Sequence, residues 1–352
     1  MALSFSGGLL AANAGRALAP EGASRAQDPV RLFCFSVATP AEMLLLEAQA
    51  QDQAGIFSCD GWTIFSNTSD AGSLPAVAAI SGSMDVAFGG EWRTALNVPP
   101  FLQVWPRILP TILETGKRFD WVLKLDADTV FDADRMRSLI QLEAANTNPQ
   151  AETLLWVFAK TNASRTAGVQ NPCFHRPWTA SPCSLWVPGP LEAFSFGLIK
   201  AFGTMTTACS KLPSERYLAS TEGTSMAPHN TTLSEDTWLS YCLMLTQDDA
   251  LWELNPALRL PRLGALAAPE LLHWVGNSPN VDDHEADMRG DHDQDICGSE
   301  GPGGAAPNLV AFHPAKTVER WRACRTAMAE ATARFSRRAT HKGAARPVFL
   351  SS

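Results

Sequence analysis

The stretch Phe119-Asp120-Trp121-Val122-Leu123-Lys124-Leu125-Asp126-Ala127-Asp128-Thr129-Val130-Phe131 constrains this chain more than any other. A run of strand-forming residues ends abruptly in two carboxylates separated by one small residue. Strand side chains alternate between faces, so Lys124, Asp126 and Asp128 are expected to project the same way. An open α/β sheet builds its ligand site at the carboxyl ends of such strands. Paired hard oxygen ligands suit Mg²⁺ or Mn²⁺ carrying substrate phosphates. A plainer reading stands beside it: a strand-end turn, or an ion pair between Asp126 and Lys124. The chain holds further Asp-x-Asp triplets at Asp132/Asp134, Asp291/Asp293 and Asp293/Asp295, but only the one at Asp126 follows a hydrophobic strand. Asp132 and Asp134 are expected to cap the next helix.

Strand-like and helix-like runs alternate around this stretch. Val30–Val37 reads as a strand stopped by Thr39-Pro40, Ala41–Gln53 as a helix opened by that proline, and Trp62–Phe65 as a second strand. That is the βαβ rhythm of a parallel sheet. Residues 71–98 read as loop-rich. Phe101–Leu113 has helical periodicity, with Pro106 and Pro110 expected to kink or divide it. Ala133–Ala144 reads as a helix, Leu154–Phe158 as a buried strand, and Gly168–Pro190 as a long functional loop. Pro190–Phe202 is expected to be a helix, Ser234–Leu243 a helix opened by serine and acids, and Pro261–Ala268 a proline-broken connection. Asn308–Phe312 reads as a last strand ending in His313-Pro314, and Ala315–Phe335 as a final helix. The fold class expected is α/β, with a mixed, mostly parallel sheet flanked by helices and a Rossmann-like nucleotide-binding half.

A chain of 352 residues with 45% hydrophobic and 18% charged residues can bury a large core. Its net charge of −8 argues against nucleic acid as the main partner. Residues 1–28 read as a disordered leader, 29–335 as the folded domain and 336–352 as a basic flexible tail. Gly7–Leu18 is only mildly apolar and Arg16 interrupts it, so no membrane span is expected. The eight cysteines allow 105 pairings, and none lies in a Cys-x-x-Cys pair that would suggest zinc. Glycosylation triplets begin at Asn67, Asn162 and Asn230. Cysteines and triplets together lean towards the lumen of the secretory pathway (Golgi or ER), given an upstream signal; without one the protein would be cytoplasmic. Asp282–Asp295, rich in Asp and His, reads as a solvated acidic loop rather than a metal site. The tryptophans, Trp156, Trp178, Trp186, Trp238, Trp252 and Trp274 among them, read mainly as packing residues rather than sugar platforms.

Two further elements are expected to join the Asp126/Asp128 site. His313 ends a strand as Asp128 does, and one imidazole can complete oxygen-rich metal coordination. Lys316 lies one turn further on, where it could neutralise a phosphate leaving group. Glu235-Asp236 opens a helix and could supply a general base to an acceptor hydroxyl, although capping explains the pair equally well.

The order Trp-Val-Leu-Lys-Leu-Asp126-Ala-Asp128-Thr-Val-Phe, Gly189-Pro190-Leu-Glu192-Ala-Phe-Ser, Glu235-Asp236-Thr-Trp-Leu and Phe312-His313-Pro-Ala-Lys316 resembles GT-A-fold glycosyltransferases. The spacing is most similar to the β1,3-galactosyl- and N-acetylglucosaminyltransferases of the Fringe and core-1 type, over roughly residues 30–330. The resemblance implies a metal-dependent hexosyltransferase that uses a UDP-sugar donor, Mn²⁺ (or Mg²⁺), and a glycan, protein or lipid acceptor. Asp126 would face the ribose and the metal, Asp128 would ligate the metal directly, and His313 would be a further ligand. Lys316 would lie near the UDP phosphates, with Lys124 also on the nucleotide side. Asp236 would be the base of an inverting displacement, while Glu192 and Glu235 would face the acceptor. Phe33–Ala38 would edge the nucleotide pocket. The sequence departs from the family pattern at Ala127, where a third acid is usual, and at Glu192-Ala193-Phe194, where a glycine-rich acceptor loop is usual. A retaining GT-A enzyme would use the same metal site. Two other readings remain open: a haloacid-dehalogenase-type phosphatase with Asp126 as nucleophile and Asp248-Asp249 as distal acids, and a non-catalytic sugar-nucleotide-binding domain.

Overall fold

A computed structural model of the chain describes residues 29–68, 72–74, 77–89, 94–158, 187, 189–203, 209, 234–245, 263–268, 273–274 and 309–341. The leader, residues 168–186 of the long loop, Asn162, Asn230, Asp248-Asp249, the acidic stretch Asp282–Asp295 and residues 342–352 of the tail lie outside them.

The chain opens with β1 (Leu32–Val37). A 3-10 turn at Pro40–Glu42 then leads into α1 (Met43–Gln51). The strands β2 (Gly61–Ser66), β3 (Val77–Ala79), β4 (Phe88–Gly89) and β5 (Thr94–Ala95) precede α2 (Val98–Glu114). Next come β6 (Trp121–Leu125), β7 (Val130–Phe131), α3 (Ala133–Glu143) and β8 (Leu154–Phe158). The remaining described elements are β9 (Leu191–Ser195), α4 (Phe196–Phe202), α5 (Glu235–Leu245), β10 (Gly264–Ala268), β11 (His273–Trp274), β12 (Ala311–His313) and α6 (Val318–His341).

A seven-stranded sheet of order β10-β8-β9-β6-β1-β2-β3 forms the centre. Its pairings are parallel except at β9, which runs antiparallel to both β6 and β8. The chain leaves β1 towards β2 on one side and later returns to β6 on the other. The carboxyl ends of β1 and β6 therefore flank a topological switch point, where open α/β sheets bind ligands.

Period-two alternation sorts the core into two layers. Phe33, Phe35, Val122 and Phe194 face α2, α4 and α5. Leu32, Cys34, Leu123 and Ala193 face α1 and α3. Trp105 of α2 is the hub of the first layer, packed edge-on at 5.3 Å against each of Phe35, Phe194 and Phe202. Trp156 and Trp238 are buried, as expected of packing residues.

Several expectations are corrected. Residues 190–202 are not one helix: Leu191–Ser195 is a central strand, and the helix starts only at Phe196. Leu, Glu and Ala favour helix on propensity, but a vacant slot between β6 and β8 outweighs that preference. Ser195 marks the change by accepting from the Leu198 amide at 3.2 Å. Residues 264–268 are an edge strand rather than a connection. Pro106 and Pro110 lie inside a continuous α2, whose apolar face is buried strongly enough to offset two missing amides. The region 71–98 contributes β3 to the central sheet. The final helix runs on past residue 335 to His341.

Candidate metal centre

Asp126 and Asp128 come together just beyond the end of β6. β6 stops at Leu125, and residues 126–129 form a turn in which the Thr129 amide donates to the Asp126 carbonyl at 3.0 Å. The pair therefore converges through a turn rather than through the strand pleat. Three neighbours lock that turn. The Pro190 carbonyl accepts from the Asp126 amide at 3.2 Å and from Thr129 Oγ1 at 3.0 Å. Gln49 of α1 donates through Nε2 to the Ala127 carbonyl at 2.6 Å. The Ala315 amide donates to the Asp128 carbonyl at 2.8 Å. Ala127 itself is buried in the α1/α3 layer, so a third acid there would be a buried, unpaired charge. Asp132 caps α3 by accepting from the amides of Asp134 and Arg135, as expected.

His313 arrives through a separate three-stranded sheet of order β11-β12-β7. β12 pairs antiparallel with β7, with Phe312 opposite Val130, and so delivers the next residue, His313, to the turn. His313 Nε2 lies 3.2 Å from Asp128 Oδ1 and 3.9 Å from Asp126 Oδ2. One ligand atom from each of the three residues lies within 4.8 Å of the other two. An octahedral ion with ligands at about 2.1 Å separates neighbouring ligands by about 3 Å and opposite ones by about 4 Å. The donor set and its spacing fit a hard divalent cation. Asp126 is one-third exposed, whereas Asp128 and His313 are buried, which leaves the site open on the Asp126 side.

The charges around the site are balanced in pairs. Lys316 forms an ion pair with Asp128 Oδ2. Burial alone would raise the Asp128 carboxyl, but His313 and Lys316 outweigh it and hold it well below the usual carboxylate range. Burial would likewise lower the Lys316 ammonium, but Asp128 holds it above its ordinary value. Glu42 lies on the β1 side of the crevice, accepting from Thr39 N and Oγ1 at 2.8 Å each. Its carboxyl is raised, first by burial and then by Asp128.

Beneath Asp126 is a buried cluster. Lys124 donates to the Gly189 carbonyl at 2.5 Å and lies 2.7 Å from Asp126 Oδ1, 3.5 Å from Glu235 Oε2 and 3.9 Å from Glu192 Oε1. Glu235 also accepts from Trp105 Nε1 at 3.1 Å, and its own amide donates to Asn97 Oδ1 at 2.8 Å. Burial and then the Glu235 carboxylate raise the Glu192 carboxyl well above its ordinary value, and burial raises Glu235 as well. Lys124, Glu192 and Glu235 have almost no exposed surface and form the floor of the site rather than its lining. Asp236, one residue on, is partly exposed and lies against Gly189: a Cβ added there would meet Asp236 Oδ2 at 3.2 Å.

Asp126, Asp128, His313, Lys316, Lys124, Glu192, Glu235 and Asp236 are thus all gathered at or under the carboxyl end of β6. Sequence reasoning missed Gln49, Trp105 and the Gly189 and Pro190 carbonyls. Gln49 and Trp105 lie on helices with no motif, and a backbone carbonyl leaves no mark in a sequence. Fold and site together define an α/β protein with a candidate divalent-metal centre at its topological switch point. No protein-family model matches the chain, and no curated protein matches it.

Proposed function

We propose that this protein is a metal-dependent glycosyltransferase of GT-A type, moving a hexose from a UDP-sugar to a hydroxyl acceptor, with inversion. The observation that carries the reading is the Asp126–Asp128–His313 cluster at the switch point. The partly exposed Asp236 carboxylate lies against Gly189, whose carbonyl accepts from Lys124 beneath Asp126. A sheet that is parallel except for one internal antiparallel strand supports it. A divalent cation, Mn²⁺ or Mg²⁺, held by Asp126, Asp128 and His313 would bind the donor diphosphate and neutralise the departing charge.

The chain's own residues supply the rest. Asp236 accepts the proton of the acceptor hydroxyl as its oxygen attacks the anomeric carbon. The bond from that carbon to the diphosphate breaks, and its electron pair leaves with UDP. Lys316, already beside Asp128, adds positive charge on the leaving-group side. Glu192 and Glu235 support this chemistry from below. Their burial assigns them to holding β9 and the first turn of α5 in place rather than to touching an acceptor.

Against the phosphatase reading, β1, β2 and β3 all precede β6, whereas that nucleophile motif opens its domain. No helix among the described residues is long and apolar enough to cross a membrane. Cys34–Cys59 and Cys209–Cys242 are disulfides, Cys324 is also disulfide-bonded, and no described cysteine is free. Such oxidation supports residence in the secretory-pathway lumen.

Incubation with UDP-sugars, Mn²⁺ and glycan acceptors tests the reading. UDP release is expected, falling roughly 10²- to 10⁴-fold in Asp236→Asn while UDP binding persists. Release of inorganic phosphate from phosphomonoesters, dependent on Asp126, would instead establish the phosphatase.

A further inference from the structure

We infer that Lys124 is a positioning residue of the metal centre, a buried post that dictates which oxygen of Asp126 faces the metal. The inference rests on the metal-centre reading above and on nothing about the sugar or acceptor.

An ammonium has three N–H donors and no acceptor. The Gly189 carbonyl takes one at 2.5 Å, Asp126 Oδ1 lies 2.7 Å away and Glu235 Oε2 lies 3.5 Å away. The Phe101 ring, its centroid 5.1 Å from Nζ, closes another side. With 2% of its side chain exposed, Lys124 is sealed from a nucleotide, contrary to its expected place on the nucleotide side. What it does reach is the one metal-site carboxylate that is substantially exposed. Asp126 lacks the enclosure that fixes Asp128, so its orientation depends on the contact from Oδ1 to Lys124. That contact leaves Oδ2 turned towards His313 Nε2. The same ammonium ties three elements together: β6 through its own backbone, the Gly189-Pro190 turn through the carbonyl, and α5 through Glu235. Partners that orient metal ligands from behind typically change metal affinity 10- to 100-fold when removed.

The test uses Mn²⁺ alone, with free and bound ion read by electron paramagnetic resonance. Asp126→Asn and Asp126→Ala are compared in the full chain. Asn is nearly isosteric with Asp, but the Lys124 ammonium must face its amide oxygen, so the NH₂ group is turned to the metal. Asn should therefore lose as much Mn²⁺ affinity as Ala, within about threefold. If Asn retains at least tenfold more affinity than Ala, the side chain turns freely and the inference is overturned. A second arm removes the post with its charge balanced. Lys124→Met combined with Glu235→Gln should keep a cooperative melt yet weaken Mn²⁺ at least tenfold, while Glu235→Gln alone stays within threefold of wild type. Unchanged affinity in the folded double variant would also overturn the inference, and if that variant does not fold, the Asn/Ala comparison decides. Failure of wild type to bind Mn²⁺ would sink both this inference and the proposed function. Binding of Mn²⁺ without UDP would sink only the function.

Discussion

At the scale of single residues, the buried acid pair makes a distinct claim about pH. Glu192 holds a proton in the folded protein at pH values where an unfolded glutamate, with an ordinary value of 4.5, has lost it. The native state then binds more protons than the unfolded chain, so this site's contribution to stability falls as pH rises above about 4.5, by up to about 1.4 kcal/mol per pH unit. Glu192→Gln keeps the volume and removes the proton. Urea denaturation at a series of pH values should show wild type losing more stability than the variant between pH 5 and pH 8. An identical slope in both proteins would mean that Glu192 is ionised in the fold. The opposite sign holds at Asp128, whose lowered carboxyl stabilises the fold above its ordinary value of 3.8 and loses that contribution as pH falls.

Between elements, what matters is how the first turn of α5 is seated. Gly189 approaches Asp236 so closely that a methyl group would sit 3.2 Å from Oδ2. Gly189→Ala should displace Asp236 and lower the rate of the proposed sugar transfer about tenfold, with the melting temperature nearly unchanged, since the displaced group is partly exposed. Equal rates in the two proteins would show that Asp236 has room to move without consequence. Trp105 anchors the same turn from beneath through its bond to Glu235. Trp105→Phe strands a buried carboxylate oxygen and should cost about 1–3 kcal/mol in chemical denaturation, a larger loss than the change in ring area explains. These couplings also show what a sequence conveys. β6 was legible because an apolar run ending in acids has few other meanings. The strand at Leu191–Ser195 was not, because Glu192 is polar on a fully buried strand, and its partners, Lys124 and Glu235, are 68 and 43 residues away. Local propensity carries no signal of so distant a compensation.

For the whole molecule, the order of motifs along the chain foretold that β6, β12 and α5 would meet. The fold explains why: a parallel sheet brings strand ends to one rim, and the small sheet of β7, β11 and β12 carries His313 to it. Disulfides brace this arrangement. Cys34 of β1 is joined to Cys59 across 25 residues, a loop whose closure is worth about 3 kcal/mol in the unfolded chain. Replacing both by alanine should lower stability by that order while leaving metal affinity within a few-fold, because Cys34 lies opposite Leu123 in the sheet, short of the turn that carries Asp126 and Asp128. A large loss of Mn²⁺ affinity in a folded double-alanine variant would mean that the bridge shapes the site itself.

The central claim is that Asp126, Asp128 and His313 hold a divalent metal that recruits a nucleoside diphosphate. Titration calorimetry of UDP into the intact protein, with and without Mn²⁺, tests it most directly when repeated on Asp128→Ala. The expected result is UDP binding that requires Mn²⁺ and disappears in the variant. UDP binding that ignores both metal and Asp128, or no UDP binding under any metal condition, would contradict it.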